Sequence, residues 1–236
     1  METLQRRVAD AARFDDDFEF DPAAVTVGGD ASLIGDRPLV AGVDQAFLDD
    51  RAVSAIVALR GREVIERTYA ATSLSIPYIP GLLSFREGGP IVEAFESLDT
   101  EPDLVLFDGS GRIHFREAGI ATHMGVVLDV PSVGVAKSLL CGRPRSSTDG
   151  LPEGARVAIE ADDRVEAPDG TLLGYAVQTR QYESSARHVN PVYVSPGHRI
   201  GPESAADHTE TLCAGYKLPE PVRLADRYAD EAKADL

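Results

Sequence analysis

Residues 102–114 read PDLVLFDGSGRIH. Leu104, Val105, Leu106 and Phe107 form an apolar run bounded by turn residues, the pattern of a strand buried on both faces near the middle of a sheet. The run stops at Asp108, and Gly109 and Gly111 follow. A carboxylate placed where a buried strand ends points into the crevice above a sheet, and glycines there let a second backbone or a ligand come close. The same letters also spell an ordinary Asp-Gly turn. A second stretch, VAGVDQAF at residues 40–47, repeats the idea by running apolar into Asp44. Two acids that end or interrupt core strands point to a metal site.

The chain of 236 residues, 43% hydrophobic, is long enough for one large domain or at most two with a proper core. No apolar run approaches the roughly 20 residues of a membrane span. The opening METLQRRVADAARF alternates charge with small residues and lacks the apolar centre of a signal peptide. Cys141 and Cys213 make neither a disulfide framework nor a zinc motif, and read as buried thiols in a reducing cytoplasm.

Thirty-nine acids against 23 bases give a formal charge of −16, and the only lysines are Lys137, Lys217 and Lys233. Taken at face value, such acidity speaks against a nucleic-acid partner, because phosphate binding draws on a basic surface. The other explanation is a surface adapted to a halophile's salty cytoplasm, where screening cuts the Debye length to a few ångströms. The acids cluster in stretches that read as peripheral, namely Asp15–Asp21, Glu160–Glu166, Glu203–Glu210 and Asp230–Asp235, whereas Arg86, Arg112, Arg116 and Lys137 fall in the segments with chemistry. That distribution favours the salt-adapted surface.

In chain order, residues 2–14 predict a short amphipathic helix, and the acidic stretch 15–37 a loop. Three strands follow at Leu39–Leu48, Ala52–Leu59 and Glu63–Ser73, joined by turns short enough for an antiparallel meander. Pro77, Pro80 and Pro90 exclude helix across most of the next stretch, with a helix over Pro90–Leu98 that has Pro90 in its first turn. After the Asp108 strand come a helix near Arg116–Leu128 and a strand at Ser132–Ala136. A hairpin over 155–179 turns at Pro168-Asp169-Gly170, a strand occupies Val192–Ser195, and helices cover 203–214 and 221–233. Nothing in the composition marks a second domain, so residues 1–236 are expected to form one domain with 1–37 as a peripheral extension.

Three antiparallel strands, then helix, strand, helix and strand, with acids on the first and fourth strands, resembles the ribonuclease H-like fold: an α/β architecture with a mixed central sheet flanked by helices. The motifs go further and resemble endonuclease V, the deoxyinosine-directed repair nuclease. The matching segments are GVDQAF (Gly42–Phe47), PYIPGLLSFREG (Pro77–Gly88), FDGSGRIHFREAGIATHMGV (Phe107–Val126), VGVAKSLLCG (Val133–Gly142) and GYKLPEPVRLAD (Gly215–Asp226), in the family's order.

Phosphodiester hydrolysis needs charge neutralised on the phosphate, an activated water and a stabilised leaving oxygen, and magnesium held by carboxylates supplies all three. The resemblance implies magnesium, with manganese able to substitute, and hard oxygen donors suit either ion. Asp44 and Asp108 fit as metal ligands on neighbouring strands. Glu87 matches the family's third acid, and Asp226 stands where the family carries Asp or His, for a second metal site or to orient the attacking water. Lys137, after the apolar SVGVA run, falls at a strand end near the same crevice, where an ammonium steadies the phosphate as charge develops. His114 matches a histidine the family keeps six residues after the active-site Asp and reads as a phosphate or supporting contact, or as a structural histidine. His123 reads as structural, and His198 as structural or a phosphate contact.

An enzyme that senses a damaged base in a duplex must take it out of the stack and read its edge in a pocket. Tyr78, in the stiff Pro77-Tyr78-Ile79-Pro80 loop, suits a wedge into the gap left behind. Gly81 and Gly109 let backbone groups approach a flipped purine, and by resemblance Leu83, Gly119 and Ile120 complete the pocket. Fixed backbone groups distinguish hypoxanthine from adenine, since a mispaired buried donor costs about 1–3 kcal/mol, and a pocket of this kind predicts slow product release. The resemblance implies hydrolysis of the second phosphodiester 3′ to the lesion, leaving a 3′-hydroxyl and a 5′-phosphate. The expectation is a monomer acting on deoxyinosine DNA in the cytoplasm, with no membrane partner. The alternatives are an endoribonuclease acting on inosine-containing RNA and a non-cleaving inosine-binding module.

Overall fold

Along Leu104–Phe107 every side chain is buried, and alternate residues face opposite ways: Leu104 and Leu106 join one apolar cluster, Val105 and Phe107 another. The period of two is that of a strand packed on both faces. A computed structural model of the chain describes residues 1–28, 37–48, 51–73, 83–182 and 188–236, with the side chains of 83–85 left out. In chain order it comprises α1 (Glu2–Ala11), β1 (Leu39–Leu48), β2 (Arg51–Arg60), β3 (Glu63–Ser73), α2 (Leu83–Glu96), β4 (Leu104–Asp108), α3 (Ile120–Leu128) and β5 (Ser132–Ala136). There follow β6 (Arg143–Pro144), β7 (Arg156–Glu160), β8 (Leu172–Val177), β9 (Val192–His198), α4 (Pro202–Thr211) and α5 (Glu220–Ala234).

The nine strands form one mixed sheet in the order β3-β2-β1-β4-β5-β9-β8-β7-β6. The antiparallel meander β1–β3 is as expected. β4 lies parallel to both β1 and β5, and the remaining pairs are antiparallel. The expected hairpin is β7–β8, with its turn at Pro168–Gly170 closed by Thr171 N–H donating to the Pro168 carbonyl at 3.0 Å. Helices α4 and α5 cover the face carrying Val40, Leu104, Leu106, Val133 and Val135, while α2 and α3 cover the face carrying Ala41, Val43, Val105 and Phe107. This is the ribonuclease H-like arrangement, with the five α-helices of the described residues flanking a mixed sheet.

Several boundaries differ from expectation, among them the end of α4, at Thr211 rather than residue 214. The helix placed at Pro90–Leu98 begins earlier, at Leu83, so Pro90 lies inside α2 rather than in its first turn. An internal proline removes one helical hydrogen bond and costs about 3 kcal/mol, and burial of Pro90, Ile91 and Ala94 offsets it. The helix expected from Arg116 starts only at Ile120, because Glu117 adopts a left-handed conformation (φ 50°) that breaks the path before the Gly119 N-cap. α1 ends at Ala11 rather than at residue 14, and beyond it the Arg13 N–H donates to His198 Nδ1 at 3.2 Å. The strand expected to stop at Ser195 continues to His198, past Pro196, where the pairing with β5 is irregular and a missing N–H is tolerated. Two short elements carried no sequence signal: β6, and a 3-10 turn at Pro22–Ala24 within the stretch read as loop.

Candidate active site and metal centre

Strand parity assembles the site. On β1, Val40 and Asp44 are separated by an even step, as are Leu106 and Asp108 on β4 and Val135 and Lys137 at the end of β5. Val40, Leu106 and Val135 all face α4 and α5, so Asp44, Asp108 and Lys137 emerge on that face too. Val43 of β1 pairs with Phe107 of β4, which sets Asp44 level with Asp108 where the parallel pairing of the two strands ends. α5 crosses directly over them. A Cβ on Gly42 would lie 2.1 Å from the carbonyl carbon of Pro221, so only glycine at this point lets the helix sit on β1. One turn after Val222, α5 delivers Asp226. Carboxylate oxygens of Asp44, Asp108 and Asp226 all lie within 4.8 Å of one another, and all three residues are half-buried.

Lys137 stands among these acids, with Nζ 2.5 Å from Asp108 Oδ2 and 3.3 Å from Asp226 Oδ1. Glu87 approaches from α2, on the other face of the sheet, and is 6% exposed. Burial, reinforced by the charges of Asp108 and Asp226, pushes the Asp44 carboxyl up to about 8 against the opposing pull of Lys137. Burial and the Asp108 charge raise Glu87 to about 7, countered by Arg86. For Lys137, burial works against the ammonium, but the hydrogen bond and charge of Asp108, with Asp44 and Asp226, hold its pKa above the ordinary lysine range. One cation thus serves a cluster of half-buried carboxylates whose mutual repulsion is unresolved. A divalent cation coordinated by hard oxygens relieves that repulsion, and the donor set fits magnesium or manganese.

The other predicted residues fall as follows. Tyr78, Pro80 and Gly81 lie outside the described residues; Leu83 opens α2, with its side chain among the atoms left out. Gly109, Gly119 and Ile120 come together in the loop after Asp108, but neighbouring protein explains both glycines. A Cβ on Gly109 (φ 155°) would lie 2.5 Å from Ile120 Cγ2, and one on Gly119 would lie 2.2 Å from the Ser110 carbonyl oxygen. Ile120 is 5% exposed and packs in the core under that loop. His114, also buried, accepts a hydrogen bond from Arg116 N–H at Nδ1 (3.2 Å), which fixes its ring within the same loop. His198, with Asp129 Oδ1 at 3.3 Å from Nε2, binds the N-terminal segment instead, far down β9 from Lys137. His123 is buried in α3.

Sequence reading overlooked two residues. Gln45 follows Asp44 and donates from Nε2 to the Glu87 carbonyl at 3.5 Å, linking β1 to α2 behind the acids. Gly42 is the other, and its signal was present as a glycine inside an otherwise apolar strand, the usual mark of close backbone approach.

Comparison with known proteins agrees with this geometry. Residues 29–227 match the family model for Endonuclease V. The chain is 61% identical over 248 residues to Endonuclease V of the halophilic archaeon Haloarcula marismortui, covering 99% of this chain and 92% of that protein. The crystal structure of Endonuclease V from Streptomyces avermitilis superposes with a TM-score of 0.80 at 30% identity, covering 99% of this chain and 92% of that one. Endonuclease V of Ciona intestinalis, solved with a 24mer DNA containing an inosine followed by a ribo-adenosine, shares the fold at a TM-score of 0.74 and 23% identity over 99% of this chain and 96% of its own. With a family model spanning Asp44, Glu87, Asp108, Lys137 and Asp226, this chain belongs to the endonuclease V family.

Proposed function

We propose that the protein is a magnesium-dependent endodeoxyribonuclease that recognises deoxyinosine and hydrolyses the second phosphodiester 3′ to it, leaving a 3′-hydroxyl and a 5′-phosphate. The observation that carries this reading is the convergence of Asp44, Asp108 and Asp226 within 4.8 Å beside a lysine. These three carboxylates would hold the cation, which supplies charge neutralisation at the phosphate and a more acidic water. Glu87, kept from ionising readily by burial, is suited to hold or accept a proton near the reacting water. Lys137, released from Asp108 and Asp226 as a cation takes their charge, would turn its ammonium to the phosphate. Tyr78 and Pro80 would wedge the duplex, with Gly81, Leu83, Gly109, Gly119 and Ile120 around the base and His114 supporting the loop. The inosine DNA in the Ciona intestinalis complex supports this choice of substrate.

We take the chain as a single nuclease domain acting as a monomer in the cytoplasm. Among the described residues no helix is long and apolar enough to cross a membrane. The net charge of −16 fits DNA binding at molar salt, where a Debye length of about 3 Å confines the repulsion of peripheral acids.

The test is a nicking assay on an end-labelled duplex with one deoxyinosine, beside its inosine-RNA counterpart, with magnesium or EDTA and at low or molar potassium chloride. A magnesium-dependent nick one nucleotide beyond the inosine, retained at molar salt, is expected. Cutting of the RNA alone would move the function to RNA, and no cutting under any condition would reduce the protein to a binding module. For base recognition, Tyr78→Ala should weaken binding to the inosine duplex about tenfold or more while leaving lesion-free DNA within twofold, base stacking being worth about 1–3 kcal/mol. Equal losses on both duplexes would make Tyr78 a packing residue.

A further inference from the structure

The loop between Asp108 and α3, residues 109–119, is anchored on its sheet side by backbone groups. Gly111 N–H donates to Ser195 Oγ at 2.9 Å, and Arg112 N–H to the Pro196 carbonyl at 2.8 Å. Gly119 N–H donates to the Gly111 carbonyl at 3.1 Å and so closes the loop on itself. Its outer side, residues 113–118, is reached by side chains that play no part in the carboxylate cluster.

Arg116 is where they meet. Its largely buried guanidinium donates from Nη1 to Gln5 Oε1 at 3.3 Å. It also pairs through Nη2 with Glu2 Oε1 at 2.6 Å and through Nε with Glu166 Oε1 at 3.4 Å. Glu166, between β7 and β8, is gripped in turn by Arg6, at 2.7 Å from Nε and 2.9 Å from Nη2. The Glu166 N–H also donates to the Phe115 carbonyl at 2.8 Å, so the residue before Arg116 is tied to the same place. A second hold comes from Phe14, whose ring lies 4.4 Å from the Arg112 guanidinium, while Arg112 Nε donates to Glu117 Oε1 at 2.7 Å. Glu117 is left-handed (φ 50°), a conformation that persists in a non-glycine residue only where its surroundings impose it. Three residues later α3 begins at Ile120.

Gln5 shows that the tether is more than surface charge. α1 buries two side chains, Val8 and Gln5, and Gln5 is 0% exposed. A glutamine is seldom fully buried, and when it is, its amide is hydrogen-bonded. Exposed ion pairs such as Arg6–Glu166 add little to stability, so the main effect of the network is geometrical: it fixes the outer side of the loop. The helix also precedes residue 29, where the match to the family model begins, so the tether joins a segment outside that match to a loop within it.

We propose that Glu2 and Gln5 of α1, together with Glu166, are positioning residues that act through Arg116 to hold the loop after Asp108 in the shape that receives the flipped base. This rests on the nuclease reading above and deepens it, because backbone groups that read a base edge must be held within about 0.5 Å. The tether governs which base is accepted, while the acids and Lys137 stand on strands and on α5 and do not depend on it.

The test uses the full chain with the double substitution Gln5→Met and Glu2→Ala, the first removing the acceptor at nearly constant volume and the second an exposed partner. Amide hydrogen exchange at residues 113–118 should rise about fivefold or more. In single-turnover nicking, the protein concentration giving half the maximal rate should rise about tenfold on the inosine duplex, with the rate at saturation within twofold. Binding to lesion-free DNA should stay within twofold. Gln5→Glu, which keeps an acceptor oxygen toward the guanidinium, should behave as wild type within twofold. Should the double variant fold poorly, Glu2→Ala alone should still give about a threefold loss on the inosine duplex. Unchanged exchange, a loosened loop with wild-type affinity for inosine, or equal losses on both duplexes would overturn the positioning role. Absence of nicking by the wild-type protein would instead overturn the nuclease reading, and inosine-duplex binding by fluorescence anisotropy would still decide the tether.

Discussion

Replacing Asp108 with asparagine should cut the single-turnover rate of nicking inosine DNA by about 10³-fold or more, close to 4 kcal/mol of barrier, while leaving lesion binding measurable. Asparagine keeps the shape and removes the charge at the point where the site's interactions meet. Asp108 receives the Lys137 ammonium at 2.5 Å and contributes to the raised pKa of both Asp44 and Glu87. Without it a bound cation would lose a ligand, Lys137 would lose its closest partner, and Asp44 and Glu87 would lose a charge that raises their pKa. The fold should be unharmed, because Asp108 closes a strand whose apolar residues are buried without its help and because like-charge repulsion at Asp44 is relieved. Thermal unfolding within a few degrees of wild type, with binding by fluorescence anisotropy retained, is the expected companion result. Magnesium-dependent nicking at near wild-type rate would remove Asp108 from the chemistry.

The strands of the sheet's centre were readable because burial on both faces leaves a plain mark, continuous apolar runs that end at acids or at glycine. From that, the face on which Asp44, Asp108 and Lys137 emerge follows by counting in twos. Asp226 did not follow. It is an ordinary-looking acid in an amphipathic helix, and only resemblance to a family motif singled it out; its place depends on α5 resting on Gly42, a contact across most of the chain. The helix around Glu87 was misjudged because a proline penalises helix only locally, whereas α2 is held by packing of Ile91 and Ala94 on the core. The late start of α3 reflects a left-handed Glu117, a conformation enforced by the surrounding loop and unmarked by residue type. The glycines of that loop were read as openings for a ligand, and the structure gives each a closer reason in Ile120 and the Ser110 carbonyl. The acidity, ambiguous in composition, makes sense once relatives from halophilic archaea are in view.

Gly42→Ala should be strongly damaging, although it adds only one methyl group to β1. The new Cβ would lie 2.1 Å from both the carbonyl carbon and oxygen of Pro221 and 2.5 Å from the nitrogen of Val222, all backbone atoms that cannot rotate aside. β1 cannot yield either, since β2 and β4 grip it on both edges. The strain must lift the N-terminal turn of α5, loosening Val222 and Ala225 from the core. Overpacking of this kind costs about 3 kcal/mol, which for a chain of this size lowers the unfolding midpoint by about 10 °C. The same displacement carries Asp226 away from Asp44 and Asp108, and a shift of about 1 Å in a catalytic group can cost about 10²-fold in rate. Nicking should therefore fall about a hundredfold even at temperatures where the variant is fully folded, and extra magnesium should recover part of it by drawing Asp226 back. Gly89→Ala is the control for stability: a Cβ there meets nothing within 4 Å, it lies within α2, and alanine favours helix by up to about 1 kcal/mol. A Gly42→Ala protein with wild-type melting and wild-type nicking would mean that α5 does not seat on β1 at this glycine, and that Asp226 reaches the acids by another route.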